Sequence, residues 1–419
     1  MSKIRIKNFG PIKEGYLDED GWLDVNKVTV FIGNQGTGKS TIAKLISTFT
    51  WIEKALVRGD YTKKEFERKG RLRKQYLAYH RLENYFTNGE GLTNGTQIEY
   101  MGDAYNIKYE KEAWVISENN IENYPLPQIM YVPAERNFIA NVKDPKALRL
   151  TSDSLIEFVT EFDNAKSEIK ESLKLPINDV NLEYDRLNDI VNIKGDSYKI
   201  RLSEASSGFQ SLVPLYLVSW YLANSVGIHT DTNGSRMNNR ELERFRKSIS
   251  EIFSNSDLTS EQKRIAISVL SSKFTKTAFI NIVEEPEQNL FPNSQWEILK
   301  SLLFFNNMSK GNKLIMTTHS PYIINYLSIS IQAGYLLGKL FKHTAADGSL
   351  VEKLNAIVPL SSSILASEVS IYQLNEDGTV KKLPDYEGIP SDKNLLNEML
   401  AEGNYLFDSL LAIEEEILL

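Results

Sequence analysis

The sequence contains no cysteine, which excludes disulfides and thiolate-held metal sites and is compatible with a reducing cytosol. No uninterrupted apolar run approaches the roughly 18 residues that a membrane span requires. The first residues, Met1 to Lys7, alternate like a strand and lack the apolar centre of a secretory signal. A soluble, cytoplasmic protein with no membrane contact is expected. Positive charge is also in deficit: 48 Lys and Arg against 55 Asp and Glu leave a net charge of -7. The field of the whole molecule therefore repels phosphates at long range, and any nucleic-acid contact needs a local basic patch. Internal repeats, low-complexity tracts and sustained heptads are absent as well, so neither a solenoid nor a long coiled coil is expected. What remains, 419 residues with 42% apolar and 25% charged, is enough for one large core with insertions or for two domains.

The strongest positive signal is Gly33-Asn34-Gln35-Gly36-Thr37-Gly38-Lys39-Ser40, followed by Thr41. It fits G-x-x-x-x-G-K-[ST] without a gap, and each position has a chemical task. The glycines let backbone amides wrap phosphates, Lys39 reaches the β and γ phosphates of ATP, and the Ser40 hydroxyl ligates Mg2+. The context agrees, since Val28 to Ile32 reads as a buried strand and Ile42, Leu45, Ile46 and Phe49 fall at helical spacing after the loop. A second buried strand, Ala278 to Val283, runs into Glu284 and Glu285, two adjacent acids that are costly to bury unless a cation compensates them. Glu284 is expected to hold the metal, and Glu285 to orient and polarise the attacking water. A third strand, Lys313 to Thr318, delivers His319, which is either a γ-phosphate ligand or a structural histidine. Ser206, Ser207 and Gly208 precede the apolar run Leu212 to Tyr221 and read either as an anion site or as an ordinary helix cap.

In their order along the chain, these four elements resemble the ABC-type ATPases of the SMC, Rad50, RecF and OLD group, over residues 1 to about 325. The opening Ile-Lys-Asn8-Phe9-Gly-Pro-Ile belongs to the same likeness. The resemblance implies an α/β ABC-type P-loop nucleotide-binding domain with a helical lobe at about 137–225 that bears the signature. It also implies a homodimer, or a higher oligomer built from it, with ATP sandwiched between subunits. Ser206, Ser207 and Gly208 would then meet the γ-phosphate held by the opposite subunit, with Glu284 as Walker B acid, Glu285 as catalytic glutamate and His319 as switch histidine. Gln288 to Pro292 falls where the family has its dimer-contacting loop. Departures are Glu284 in place of the usual aspartate, and Ala205 and Phe209 within the signature. Glu135 and Arg136 stand near the place of the glutamine loop.

Two helical insertions are expected at about 51–86 and 231–274, the second with a capping box at Thr259 to Gln262. Residues 326–419 read as a separate α+β region that serves as a partner or dimer contact. It holds a hairpin around Asn375 to Gly378 and an acidic amphipathic helix with Leu406, Leu410, Ile413 and Ile417 on one face. Lys63 to Arg81 carries eight basic residues with Tyr76 and Tyr79 interleaved, which suits either a phosphate-contacting patch or a solvated face with inward tyrosines. Without long arms or a nuclease-like domain, the chain is similar to stand-alone ATPases of anti-phage defence operons such as Septu, PARIS and retron systems. That likeness implies a separately encoded effector, a nuclease or toxin. A RecF-like repair ATPase and a nucleotide-gated binding protein with little turnover are the alternatives.

Overall fold

A computed structural model describes residues 2–87, 95–110, 113–120, 124–142, 150, 152–227, 239–255, 259–342 and 348–418. Its centre is a sheet in which five strands run parallel, in the spatial order Val369–Leu374, Val28–Gly33, Lys313–Thr318, Ala278–Glu284, Pro127–Val132. Thr379–Lys382 pairs antiparallel on the outer side of Val369–Leu374, and Gly15–Tyr16 closes that edge. Both faces of the sheet are covered, which is why its strands read as continuous apolar runs. Alternation divides the side chains between two cores. Phe31, Ile280, Ile282 and Ile315 pack with the Lys39–Arg58 helix on one face. Val30, Ile32, Phe279, Val283, Leu314 and Met316 pack on the other against the Ser207–Ser225 and Pro292–Asn307 helices. The architecture is the expected α/β P-loop fold.

Several boundaries differ from expectation. The helix after the phosphate loop continues through Trp51 to Arg58 and stops at Gly59, whose φ of 77° suits a residue without Cβ. The following stretch to residue 86 contains only short helical turns, and Phe66, Leu72, Leu77 and Leu82 are buried in the core that holds the phosphate-loop helix. It is part of the body of the domain, not an outlying helical insertion. The second insertion does form two helices, Asn239–Ser254 and Ser260–Ser272. The Gln262 N–H bonds Thr259 Oγ1 at 3.2 Å and the Thr259 N–H bonds Gln262 Oε1 at 2.9 Å. Residues 231–238 and 256–258 of that stretch lie outside the described residues. The signature-bearing lobe is mixed: between the Asp153–Ser167 and Ser207–Ser225 helices stands a four-stranded antiparallel sheet covering Leu173 to Arg201. Gln97–Met101, Tyr105–Glu110 and Ala113–Glu118 form another unforeseen unit, joining Ser2–Lys7 and Leu23–Val25 in a five-stranded antiparallel sheet.

The largest departure concerns the C-terminal region. Its hairpin forms as expected, but Val369–Leu374 lies beside the phosphate-loop strand, with Val369 opposite Val28 and Leu374 opposite Gly33. The expected boundary near residue 325 therefore does not bound the sheet. The strand's polar residues concealed this position, because each finds a partner inside: Asn26 Nδ2 donates to Ser370 Oγ at 2.7 Å and the Leu395 N–H to Gln373 Oε1 at 3.1 Å. The final helix, Leu395–Leu418, leaves the body with Leu406, Leu410, Ile413 and Ile417 all exposed. No helix among the described residues is long and apolar enough to cross a membrane.

Candidate active site

Parallel register brings the chemistry to one edge. Glu284 stands level with Thr317, Thr317 with Phe31, and Thr318 with Ile32, so the acid pair, His319 and the Gly33 loop all emerge at the carboxyl ends of neighbouring strands. Three loop glycines, Gly33, Gly36 and Gly38, sit at positive φ, and two of them are also closely packed. A Cβ at Gly33, where φ is 149°, would come within 2.5 Å of the Leu374 carbonyl oxygen, and Gly38 caps the helix at φ 103° against Ile12. At Gly36 a Cβ would meet nothing within 4 Å, so the crest of the loop is open. This is a cradle of main-chain amides at a helix N-terminus, fitted to phosphate. Lys39 is buried, with Nζ donating to the carbonyls of Gly33 at 2.9 Å and Asn34 at 2.8 Å. Burial lowers its pKa to about 8, against the opposing pull of Glu285, Glu287 and Glu284. Thr37 Oγ1 donates to the Asn34 carbonyl at 2.9 Å, and the Gln35 N–H to Asn34 Oδ1 at 2.8 Å. Ser40 and Thr41 sit in the first turn of the helix.

Glu284 is buried and accepts the Ala134 N–H at 3.2 Å. Glu285 follows at φ 44°, a left-handed conformation for a non-glycine residue, with its N–H bonded to the Thr317 carbonyl at 2.9 Å. Burial, then the neighbouring Glu284 charge, raises the Glu285 pKa. His319 Nε2 lies 3.7 Å from Glu285 Oε1, and burial followed by the nearby Lys39 charge lowers the histidine's pKa.

Two residues not assigned from sequence support this edge. Glu287 Oε1 accepts the His319 N–H at 2.7 Å and so fixes the loop that carries the histidine. Glu376, in the C-terminal hairpin turn, accepts from Asn34 Nδ2 at 2.8 Å and contacts the phosphate loop from the side. The repeated glutamate of Glu-Glu-Pro-Glu was a visible signal for the first. Nothing local to Glu376 indicated the second, because its position follows from strand insertion.

Ser206 and Ser207 are exposed at the N-terminus of their helix, with Ala205 and Phe209 turned into the core. Gly208 lies against the loop after the acid pair, since a Cβ there would come within 3.0 Å of the Asn289 carbonyl oxygen. Among the described residues no hydrogen bond joins Ser206, Ser207 or Gly208 to the phosphate loop of the same chain. Phe291, in the loop expected at a dimer contact, is 75% exposed. Glu135 is exposed, whereas Arg136 is fully buried and donates to main-chain carbonyls, those of Glu284 and Glu285 among them. In the basic stretch the tyrosines turn inward. Tyr76 packs with Trp51, Tyr61 and Phe66, and Tyr79 donates to Glu157. Arg71 pairs with Glu65, and Arg73 bonds the Glu83 carbonyl, while Lys64, Arg68, Lys69 and Lys74 remain on the surface.

Residues 117–324 match the AAA ATPase domain family, a stretch that includes the signature, the acid pair and His319 and begins after the phosphate loop. Over 80 residues the chain is 31% identical to the cell division ATP-binding protein FtsE of Bacillus subtilis (strain 168), which is 18% of this chain and 33% of FtsE. The chain thus spans 33% of the length of the curated relative it matches. Among solved structures it is similar to the SMC head domain from Thermotoga maritima, at 12% identity and a TM-score of 0.36, covering 92% of this chain and 98% of that one. It is also similar to the recombination mediator protein RecF of the RecFOR pathway, at 12% identity and a TM-score of 0.31, covering 91% and 97%.

Proposed function

We propose that the chain is an ABC-type ATPase that binds and hydrolyses Mg-ATP at this sheet edge, as a homodimer in which Ser206 to Gly208 of one copy complete the phosphate site of the other. The observation that carries this reading is the convergence of Gly33 to Thr41, Glu284, Glu285 and His319 at one edge, with Ser206, Ser207 and Phe291 turned to solvent. The amides of the loop and Lys39 hold the β and γ phosphates, and Ser40 and Glu284 hold the metal. Mg2+ supplies charge neutralisation at the transferring phosphoryl group. Glu285, with its raised pKa, orients the water and takes up its proton, and His319, kept neutral by burial, presents a ring nitrogen towards the γ-phosphate. The test is Mg-ATP hydrolysis with sedimentation, on wild-type and Ser207→Arg protein. Wild-type should dimerise with ATP and turn over. Ser207→Arg should bind ATP as a monomer without turnover, and mixing it with Lys39→Ala should restore at most one working site per dimer. A wild-type monomer that hydrolyses ATP at full rate refutes the composite site.

The biological role we infer is the ATPase half of an anti-phage module that controls a separately encoded nuclease or toxin. Support comes from the final helix, whose apolar face stands in solvent without a partner in the same chain among the described residues. A RecF-like role is favoured instead by the surface cluster of Lys64, Arg68, Lys69 and Lys74. Expression with and without neighbouring genes, phage challenge, and isolation through a tag separate the two. Protection by this chain alone with no co-purifying protein refutes the module, and a repair defect on deletion supports the RecF-like role.

A further inference from the structure

We infer that Arg136 is a positioning residue for the ATPase site: it holds the Glu285 peptide in its left-handed conformation and joins it to Ser211 of the signature-bearing helix. This rests on the ATPase reading above. Its side chain is 0% exposed, and its hydrogen bonds all go to main-chain carbonyls. Nη1 donates to Glu284 O at 2.7 Å and Pro133 O at 3.2 Å, Nη2 to Glu285 O at 2.7 Å, and Nε to Ser211 O at 3.0 Å. The planar guanidinium is suited to this because its donors diverge in a fixed fork, which a lysine ammonium does not offer.

The position of those carbonyls gives the arginine its role. Glu285 is at φ 44°, where the following chain turns away from the strand, and its peptide is held at both ends, by Thr317 O on the N–H and by Arg136 on the carbonyl. Release of the carbonyl lets the residue relax towards ordinary strand geometry, which moves its carboxylate. The same guanidinium reaches Ser211, whose own Oγ accepts from Asn289 Nδ2 at 2.9 Å, so the helix start and the loop after the acid pair are tied at two points. Arg136 is fully buried and bonds main-chain carbonyls, so it acts through Glu285 and not on a phosphate.

The experiment compares full-length wild-type, Arg136→Met and Arg136→Lys for ATP turnover, for binding of a non-hydrolysable ATP analogue, and for amide exchange. Displacing a catalytic group by about 1 Å costs on the order of a hundredfold in rate, so kcat should fall by about that factor in Arg136→Met and by about tenfold in Arg136→Lys. Analogue affinity should stay within about threefold, and exchange should quicken at 285–289 and 207–211 but not at 33–40. Turnover at the wild-type rate in either folded variant overturns the proposal. So does equal loss of analogue binding and turnover, which marks a general structural role. If Arg136→Met fails to fold, Arg136→Lys carries the test. If wild-type protein neither binds nor hydrolyses ATP, the ATPase reading fails, and unchanged exchange in the variants then overturns the positioning role independently.

Discussion

Buried charge gathers at both ends of the central sheet, and the two groups are built differently. At the amino ends of the parallel strands, Glu53 and Lys313 line a cavity of about 30 Å³ together with Ser2, Tyr100, Asp103 and Tyr124. Glu53 accepts the N–H groups of Ala104 at 2.6 Å and Tyr105 at 3.1 Å and the Tyr100 hydroxyl at 3.2 Å, while Lys313 Nζ donates to Ser2 Oγ at 2.7 Å. At the carboxyl ends, Glu284 accepts from Ala134, Glu285 is conformationally strained, and Lys39 rests on the loop it would leave to meet a phosphate. Burial disfavours the charged form of both Glu53 and Lys313, and hydrogen bonds within the chain offset that cost, whereas Glu285 keeps a left-handed backbone beside the phosphate loop. The physical contrast is that Glu53 is held by two main-chain N–H groups and a tyrosine hydroxyl on unstrained backbone, whereas Glu285 is held at a left-handed turn.

Substitutions at the carboxyl ends should change turnover or binding, and those at the amino ends should change stability. The largest expected effect is on Glu285→Gln, which removes the base while sparing the cradle. Its kcat should drop by roughly 10² to 10⁴ with nucleotide binding and unfolding midpoint nearly unchanged, as read by phosphate release and urea denaturation. Hydrolysis at the wild-type rate would remove Glu285 from the mechanism. Next is Lys39→Ala, where loss of a charge-assisted donor at the phosphates should weaken ATP binding on the order of a hundredfold, measured by titration with a fluorescent analogue. Undiminished affinity would show that the loop does not bind as argued.

At the other end of the sheet the sign of the experiment reverses. Glu53→Ala leaves the Ala104 and Tyr105 donors buried without an acceptor and should cost about 3 kcal/mol of stability, with analogue affinity unaltered in the folded protein. Loss of binding without loss of stability would erase the distinction between the two ends. The smallest effect concerns pH. Burial raises the Glu53 pKa above the ordinary carboxylate range in the folded chain, so its contribution is fully present below the unfolded value and is lost as pH rises through the higher folded one. The stability of wild-type relative to Glu53→Gln should therefore decline from the acid side towards neutrality. A difference that stays level in urea titrations across that range contradicts the assignment.

The strands that end in the glycine loop, the acid pair and His319 were each legible because a short buried apolar run is followed there by glycines or by charged and polar residues. The capping box at Thr259 and the hairpin around Asn375 to Gly378 were legible for the same reason, being short-range hydrogen-bond patterns. Arg136 and Glu287 were harder to interpret, since what distinguishes them is which distant carbonyl or amide they reach. The strand at 97–101, with its two successors, was missed because pairing with Ser2–Lys7 is a contact across more than ninety residues.

The α/β class, the glycine loop between strand and helix, and the strand that ends in Glu284 and Glu285 follow from residue types at fixed short spacings and were settled before any packing. Tertiary structure alone decided that Val369–Leu374 enters the central sheet beside Gly33, that Glu376 reaches Asn34, and that Arg136 joins the Glu285 peptide to Ser211. These are unions of segments far apart in the chain. Strand order and the direction of a buried side chain are settled only when competing surfaces are packed together, since the free energy that selects them comes from burial and hydrogen bonds between segments.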